Sequence, residues 1–242
     1  MLHRISAIAC ALLLITTALP AAQTFGWSME SDIPELTPPG SDATPHVFPP
    51  APTLLSSAQA LSGKSSLDLS GAMWKQVTFN NASDNPLWAP TQEGAVVLHW
   101  KYTGTLKTCI LMQLTGRMKG DPKLDRDDGL LLRIRDGKEL LFLYNWDNAK
   151  QGTKIRFVPP EGFVADRWYR VTAKWNTASK PYLWLQVDDL PAVTGDVQPG
   201  ATSCGAWHHL LWGNDTRTLP DGLYLDDVAV WNDFAMQPTT AQ

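Results

Sequence analysis

The sequence predicts an all-β protein built as an antiparallel sandwich of two sheets. Short runs rich in β-branched, aromatic and leucine residues recur along the chain, and turn chemistry separates them. No stretch keeps a helical period.

Val96 to Tyr102, Thr108 to Leu114, Leu130 to Arg135 and Glu139 to Tyr144 fill the middle of the chain. Trp168 to Trp175, Tyr182 to Val187, Trp207 to Trp212 and Leu223 to Trp231 follow. Asp136-Gly137 between two runs is a hairpin signal, because both residues tolerate positive φ. With a two-residue turn there, Lys138 would pair with Arg135 and Leu140 with Arg133. A further strand is expected at Thr24 to Ser31. Residues 33–53 are rich in Pro, Ser, Thr, Asp and Gly and read as a long loop.

The first 22 residues read as an export signal. His3 and Arg4 precede the apolar run Ile5 to Leu19, and Pro20-Ala21-Ala22 offers small residues for cleavage. The run is shorter than a bilayer-spanning helix needs, and no other stretch is long and apolar enough. The expectation is a secreted or periplasmic protein with one domain over 23–242 and no membrane span. Removing the leader takes Cys10 with it, leaving Cys109 and Cys204. In an oxidising compartment that pair forms a disulfide or remains as two buried thiols. The net charge of −4 and the absence of a basic stripe argue against nucleic acid as a partner.

Several segments resemble a known family. Trp27-Ser-Met-Glu30 is similar to the first strand of many carbohydrate-binding sandwiches, and Ser62-Gly-Lys-Ser-Ser-Leu67 to their second. The pair Trp168 to Trp175 and Tyr182 to Asp189 resembles the laminin-G-like hairpin. Leu210-Leu-Trp-Gly-Asn214 and Leu223 to Trp231 resemble two later strands of the same domains. In this order they resemble the concanavalin A-like lectin/glucanase superfamily over about residues 25–235. That resemblance implies a jelly roll whose concave sheet binds glycans. It departs from the pattern at the hairpin turn, where Asp188-Asp189 replaces Asp-Gly. Aspartate tolerates left-handed backbone better than most residues, so the turn is expected to hold.

Glu30-Ser-Asp32-Ile-Pro-Glu35 matches the carboxylate spacing of the superfamily's glucanases. Pro34 would remove a ladder donor there, and the flanks lack strand alternation, so a strand end entering a loop is the better reading. His99, Tyr102, Arg133 and Tyr144 could form a lyase site for an acidic sugar, although their spacing does not demand it. The resemblance also implies a structural calcium shared by Glu30 and Asp226, with Asp227 as a substitute.

The 11 Trp are a high count; most are expected in the core, and any surplus could stack on sugar rings. Of Trp175 and Trp184, at least one is expected in the core. Trp146 and Trp207, at strand ends, are candidates for stacking on sugar rings. Arg133 and Arg135 share a strand face and could meet an acidic glycan. The function expected is a non-catalytic carbohydrate-binding or adhesive module. The alternatives are a polysaccharide-cleaving enzyme of the same fold and a structural envelope protein with protein partners.

Overall fold

The computed structural model describes residues 23–32, 34–35, 37, 46–48, 55–70, 76–80, 93–116, 129–146, 151–176, 182–197, 207–213 and 222–232. The elements are β1 (Gln23–Trp27), β2 (His46–Phe48), β3 (Leu55–Ser56), β4 (Ser66–Asp68), β5 (Gln76–Asn80), β6 (Glu93–Tyr102), β7 (Cys109–Gly116) and β8 (Gly129–Arg135). They continue with β9 (Glu139–Trp146), β10 (Gln151–Phe157), β11 (Tyr169–Asn176), β12 (Tyr182–Val187), β13 (Val193–Asp196), β14 (Trp207–Gly213) and β15 (Leu223–Trp231). Among the described residues every element is a strand and every pairing is antiparallel, so the fold is an all-β sandwich as expected. No helix among them is long and apolar enough to cross a membrane. The leader at 1–22 lies outside the described residues.

One sheet runs β13-β12-β11-β6-β15-β4-β3, with β1 also pairing β15. The other runs β10-β9-β8-β7-β14-β5-β2. Alternation selects the inner faces. Val96, Leu98, Trp100 and Tyr102 of β6 point inward, as do Tyr169, Val171, Ala173 and Trp175 of β11. Leu130, Leu132 and Ile134 of β8 face them from the second sheet, with Leu140, Phe142 and Tyr144 of β9. Trp212 of β14 sits against Phe25 and Trp27 of β1, with ring centroids 6.0 and 5.8 Å apart.

The first described strand lies beside the last, β1 pairing β15 from Gln23↔Trp231 to Trp27↔Val228. The first strand is shorter than expected. It ends at Trp27, and Met29 turns the chain at φ +63°. The Pro-rich stretch is not loop throughout, because His46–Phe48 pairs with β5. The hairpin register also differs from expectation. Arg135 lies opposite Glu139 and Arg133 opposite Leu141. Lys138 N–H donates to the Arg135 carbonyl at 3.0 Å, so Lys138 closes the turn and cannot start the ladder. A one-residue change of register moves the partner strand to the other face, which is why Leu140 is core and not a neighbour of Arg133. The Asp188 turn forms as expected, with Asp188 at φ +50°. Its carboxylate accepts the Arg170 N–H at 2.8 Å and an Arg167 guanidinium hydrogen at 2.7 Å, which hold the left-handed backbone in place.

Cys109 is a free thiol buried in the core, and burial pushes its pKa up to about 12. This corrects the Cys109–Cys204 bond; Cys204 itself lies outside the described residues. The register supplies the reason. Trp207 pairs with Gly116, at the end of β7 opposite Cys109. Seven strand residues span about 23 Å, and the three links from Trp207 back to Cys204 reach about 11 Å at most. A disulfide needs Cα atoms within about 7 Å. Alkylation in denaturant without reductant is therefore expected to label Cys109, and alkylation of the native protein to leave it unlabelled. Labelling that appears only after reduction would show a bond.

Candidate functional site

The carboxylates expected to share calcium both turn onto the segment that leads into β4. Glu30 Oε1 accepts the N–H groups of Lys64 at 2.8 Å and Ser65 at 3.1 Å. Gly63 has φ +58°, and a Cβ there would collide with the Glu30 carboxylate, so glycine lets the turn close under it. Asp226 Oδ2 accepts from Leu61 N–H at 2.8 Å and Ser62 N–H at 3.4 Å, while Oδ1 accepts its neighbour's N–H at 2.9 Å. Asp227 Oδ1 accepts the Ser62 hydroxyl at 3.1 Å. These oxygens face amide hydrogens where a cation would need lone pairs. Calcium takes six to eight oxygen ligands, and no three His, Cys, Asp or Glu converge among the described residues. This donor set does not fit calcium; it fits a clasp of two carboxylates on the 61–65 segment. Burial pushes Asp226 up to about 6, against the lowering effect of the Leu61 and Ser62 N–H groups.

The residues suggested for catalysis are not brought together. Glu35 accepts the Ser28 N–H at 2.9 Å and its hydroxyl at 2.5 Å, whereas Glu30 grips residues 64–65. The lyase set is divided. Tyr102 and Tyr144 are core residues, His99 lies on the outer face of the eight-stranded sheet, and Arg133 lies on the other sheet. Burial raises Tyr102, the wrong direction for a base, and its hydroxyl donates to the Phe163 carbonyl at 2.6 Å.

Arg133 and Arg135 share the outer face of the seven-stranded sheet, as alternation required. Arg135 is ion-paired with Glu139, which also meets Arg156 at 3.4 Å. Of Trp146 and Trp207 the backbone alone is described. Trp146 ends β9 and Trp207 begins β14, both at the end of the sheet remote from the Asp136–Gly137 turn. Arg135 and the two tryptophans therefore stand about 23 Å apart along the strands, too far to contact one sugar ring.

The outer face of the eight-stranded sheet carries a better-formed arrangement. Cross-strand partners form rows perpendicular to the strands. One row reads Trp184, Lys174, Ala95, Trp231 and Gln23. The next reads Gln186, Thr172, Val97, Ala229 and Gly26. The third reads Arg170, His99 and Asp226. Ala95, Val97, Thr172 and Lys174 are buried, while Trp184, Trp231, Gln186 and Ala229 beside them are half-buried. Lys174 Nζ lies 5.1 Å from the Trp184 ring centroid, a cation–π contact.

The third row is roofed by the clasp. The 57–65 segment covers Asp226, and Gln59 Oε1 accepts a Lys101 ammonium hydrogen at 2.5 Å. Burial lowers His99, and Arg170 adds to that, while Asp227 opposes it.

A bulge in β15 makes this face possible. Asp226 pairs His99 and Ala229 pairs Val97, with the extra residue taken up at Asp227, φ +47°. The bulge resets the alternation, so Val228 and Val230 return to the core while Ala229 and Trp231 face out. The expectation for Trp175 and Trp184 is met by regular alternation on β11 and β12, with Trp175 in the core and Trp184 outside. Trp231 was missed because its face depends on that bulge.

No protein-family model matches the chain, and no curated protein matches it in sequence. Solved structures do match. The receptor binding domain of botulinum neurotoxin D superposes with a TM-score of 0.61 at 10% identity, over 89% of this chain and 50% of that one. The botulinum neurotoxin serotype G binding domain gives 0.61 at 9% identity, over 89% and 49%. The serotype D ligand binding domain, solved in complex with N-acetylneuraminic acid, gives 0.61 at 11% identity, over 89% and 48%. The chain spans about half the length of the structures it matches. At this identity the likeness is one of fold.

Proposed function

We propose that this protein is a glycan-binding module of the concanavalin A-like, laminin-G-like kind, and that it binds through the outer face of its eight-stranded sheet. The observation that carries the reading is the row Trp184–Lys174–Ala95–Trp231, two half-buried indoles on either side of small and cationic residues. From β12 to β15 is three strand spacings, about 14 Å, room for a short run of sugar rings lying across the strands. Sugar rings present C–H faces to indoles and hydroxyls to the more accessible Gln186 and Gln23 beside them.

The solved neighbours support the reading in outline, since they are binding domains and one holds N-acetylneuraminic acid. The expected leader at residues 1–22 supports an exported setting, where extracellular glycans are met. A glycan array followed by calorimetry tests the proposal. Trp184→Ala and Trp231→Ala are each expected to weaken binding about tenfold or more, as buried aromatic anchors do. Retention of full affinity in both variants would move the site elsewhere. Absence of binding across neutral and acidic polysaccharides would end the proposal.

A further inference from the structure

The two outer rows run on past β15 to β1, where Gln23 lies beside Trp231 and Gly26 beside Ala229. There they open into a hollow of about 450 Å³. Its polar wall is made by Gln23, Ser28, Glu35 and Asp227, and its apolar floor includes Gly26 and Ala229. No Lys, Arg or His lines it among the described residues.

The polar atoms of this wall are nearly all acceptors. Ser28 gives both its N–H and its hydroxyl hydrogen to Glu35. Gln23 Nε2 donates one hydrogen to the Phe25 carbonyl at 3.1 Å, which leaves its carbonyl oxygen and one N–H. Asp227 Oδ1 takes the Ser62 hydroxyl, which leaves Oδ2. A ligand suited to this wall brings hydrogen-bond donors and positive charge, and needs no donor in return. A carboxylate sugar is repelled, and an N-acetyl carbonyl is offered at most the second Gln23 amide hydrogen. An ammonium group has three donors and no acceptor, and its bonds to carboxylates are of the stronger, charge-assisted kind.

We infer that the hollow is a terminal subsite for an amino sugar with a free ammonium group, at the end of the path proposed for glycans. The inference rests on that glycan-binding reading. The ring's C–H face lies on Gly26 and Ala229, and its ammonium reaches Asp227 and Glu35.

Calorimetry with a glucosamine tetramer and its fully N-acetylated counterpart, at pH 6 and pH 9, tests this. The expected result is about tenfold tighter binding of the amine form at pH 6, a modest factor because the carboxylates are near solvent. At pH 9, where the amine loses its charge, the gap closes. Asp227→Asn and Glu35→Gln, each checked for native fluorescence and thermal midpoint, are expected to narrow the gap at pH 6. Equal binding of the two tetramers, with both weakened by Trp184→Ala, overturns the ammonium subsite and leaves the glycan path standing. A pH 6 preference that survives in both carboxylate variants also overturns the subsite. Failure of every glycan tested overturns both readings.

Discussion

Replacing Trp100 with alanine is expected to cost about 3–5 kcal/mol of stability, the range for emptying a buried aromatic site. Trp100 is fully buried on β6, the strand that joins β11 to β15. Its ring stacks on Tyr169 at 5.2 Å and on Tyr102 at 6.0 Å, and meets Phe163 edge-on at 5.1 Å. Such ring pairs add about 0.5–1.5 kcal/mol each beyond the area they bury. The indole nitrogen has no hydrogen-bond partner among the described residues, so the stabilisation comes from packing. Trp100→Phe is therefore expected to recover more than half of the loss, because it keeps a ring and removes an unsatisfied donor. Urea midpoints of the three proteins check this. A phenylalanine variant as unstable as the alanine variant would point to a role for the indole nitrogen.

Asp226→Ala carries the second large expectation, a loss of about 2–3 kcal/mol. The substitution removes the acceptor for three N–H groups. An orphaned buried donor costs about 1–3 kcal/mol, but Leu61 and Ser62 are exposed and their amides can recover water, which lowers the total.

The same carboxyl makes stability depend on pH. Its folded pKa of about 6 stands above the ordinary 3.8 because burial disfavours the charge. Between those two values the folded chain holds a proton that the unfolded chain has released. Unfolding therefore sheds a proton in this window, and stability falls as pH rises from about 4 to 6, then levels off. Asp226→Asn cannot titrate and is expected to show a flatter profile across that window. Matching slopes in the two proteins would assign the dependence to another group.

Much of the sandwich was legible because the inner positions of its long strands alternate cleanly. The inward positions of β6, β8, β9, β11 and β12 are apolar throughout, mostly Leu, Val, Ile or aromatic. β10 was not legible. Gln151–Phe157 buries only Ile155 and Phe157 among its described side chains, and Lys154 and Arg156 on either side of Ile155 hide the apolar alternation. β2, β3 and β13 are too short to show a period. For the site, composition pointed to tryptophans and arginines but could not say which strands are neighbours. β6 and β15 are separated by about half the chain, and only their pairing puts Ala95 beside Trp231. The clasp was half legible. Glu30, the Ser62–Leu67 segment and Asp226 were each singled out, but the residues do not reveal that the carboxylates face amide hydrogens and not an ion.

The position of β15 has a consequence for how the chain folds. β15 pairs with β6 along one side and shares its other side between β1 and β4. All three partners precede it by more than a hundred residues. Until residues 223–231 arrive, β1, β4 and one edge of β6 have open hydrogen-bonding edges, with Phe25, Trp27 and Leu67 uncovered beside them. Pairings this distant in sequence are slow to form, and open apolar edges recruit other chains while they wait. Refolding yield should therefore fall steeply with protein concentration, and a synthetic peptide of the β15 sequence should compete with self-association by occupying the vacant place.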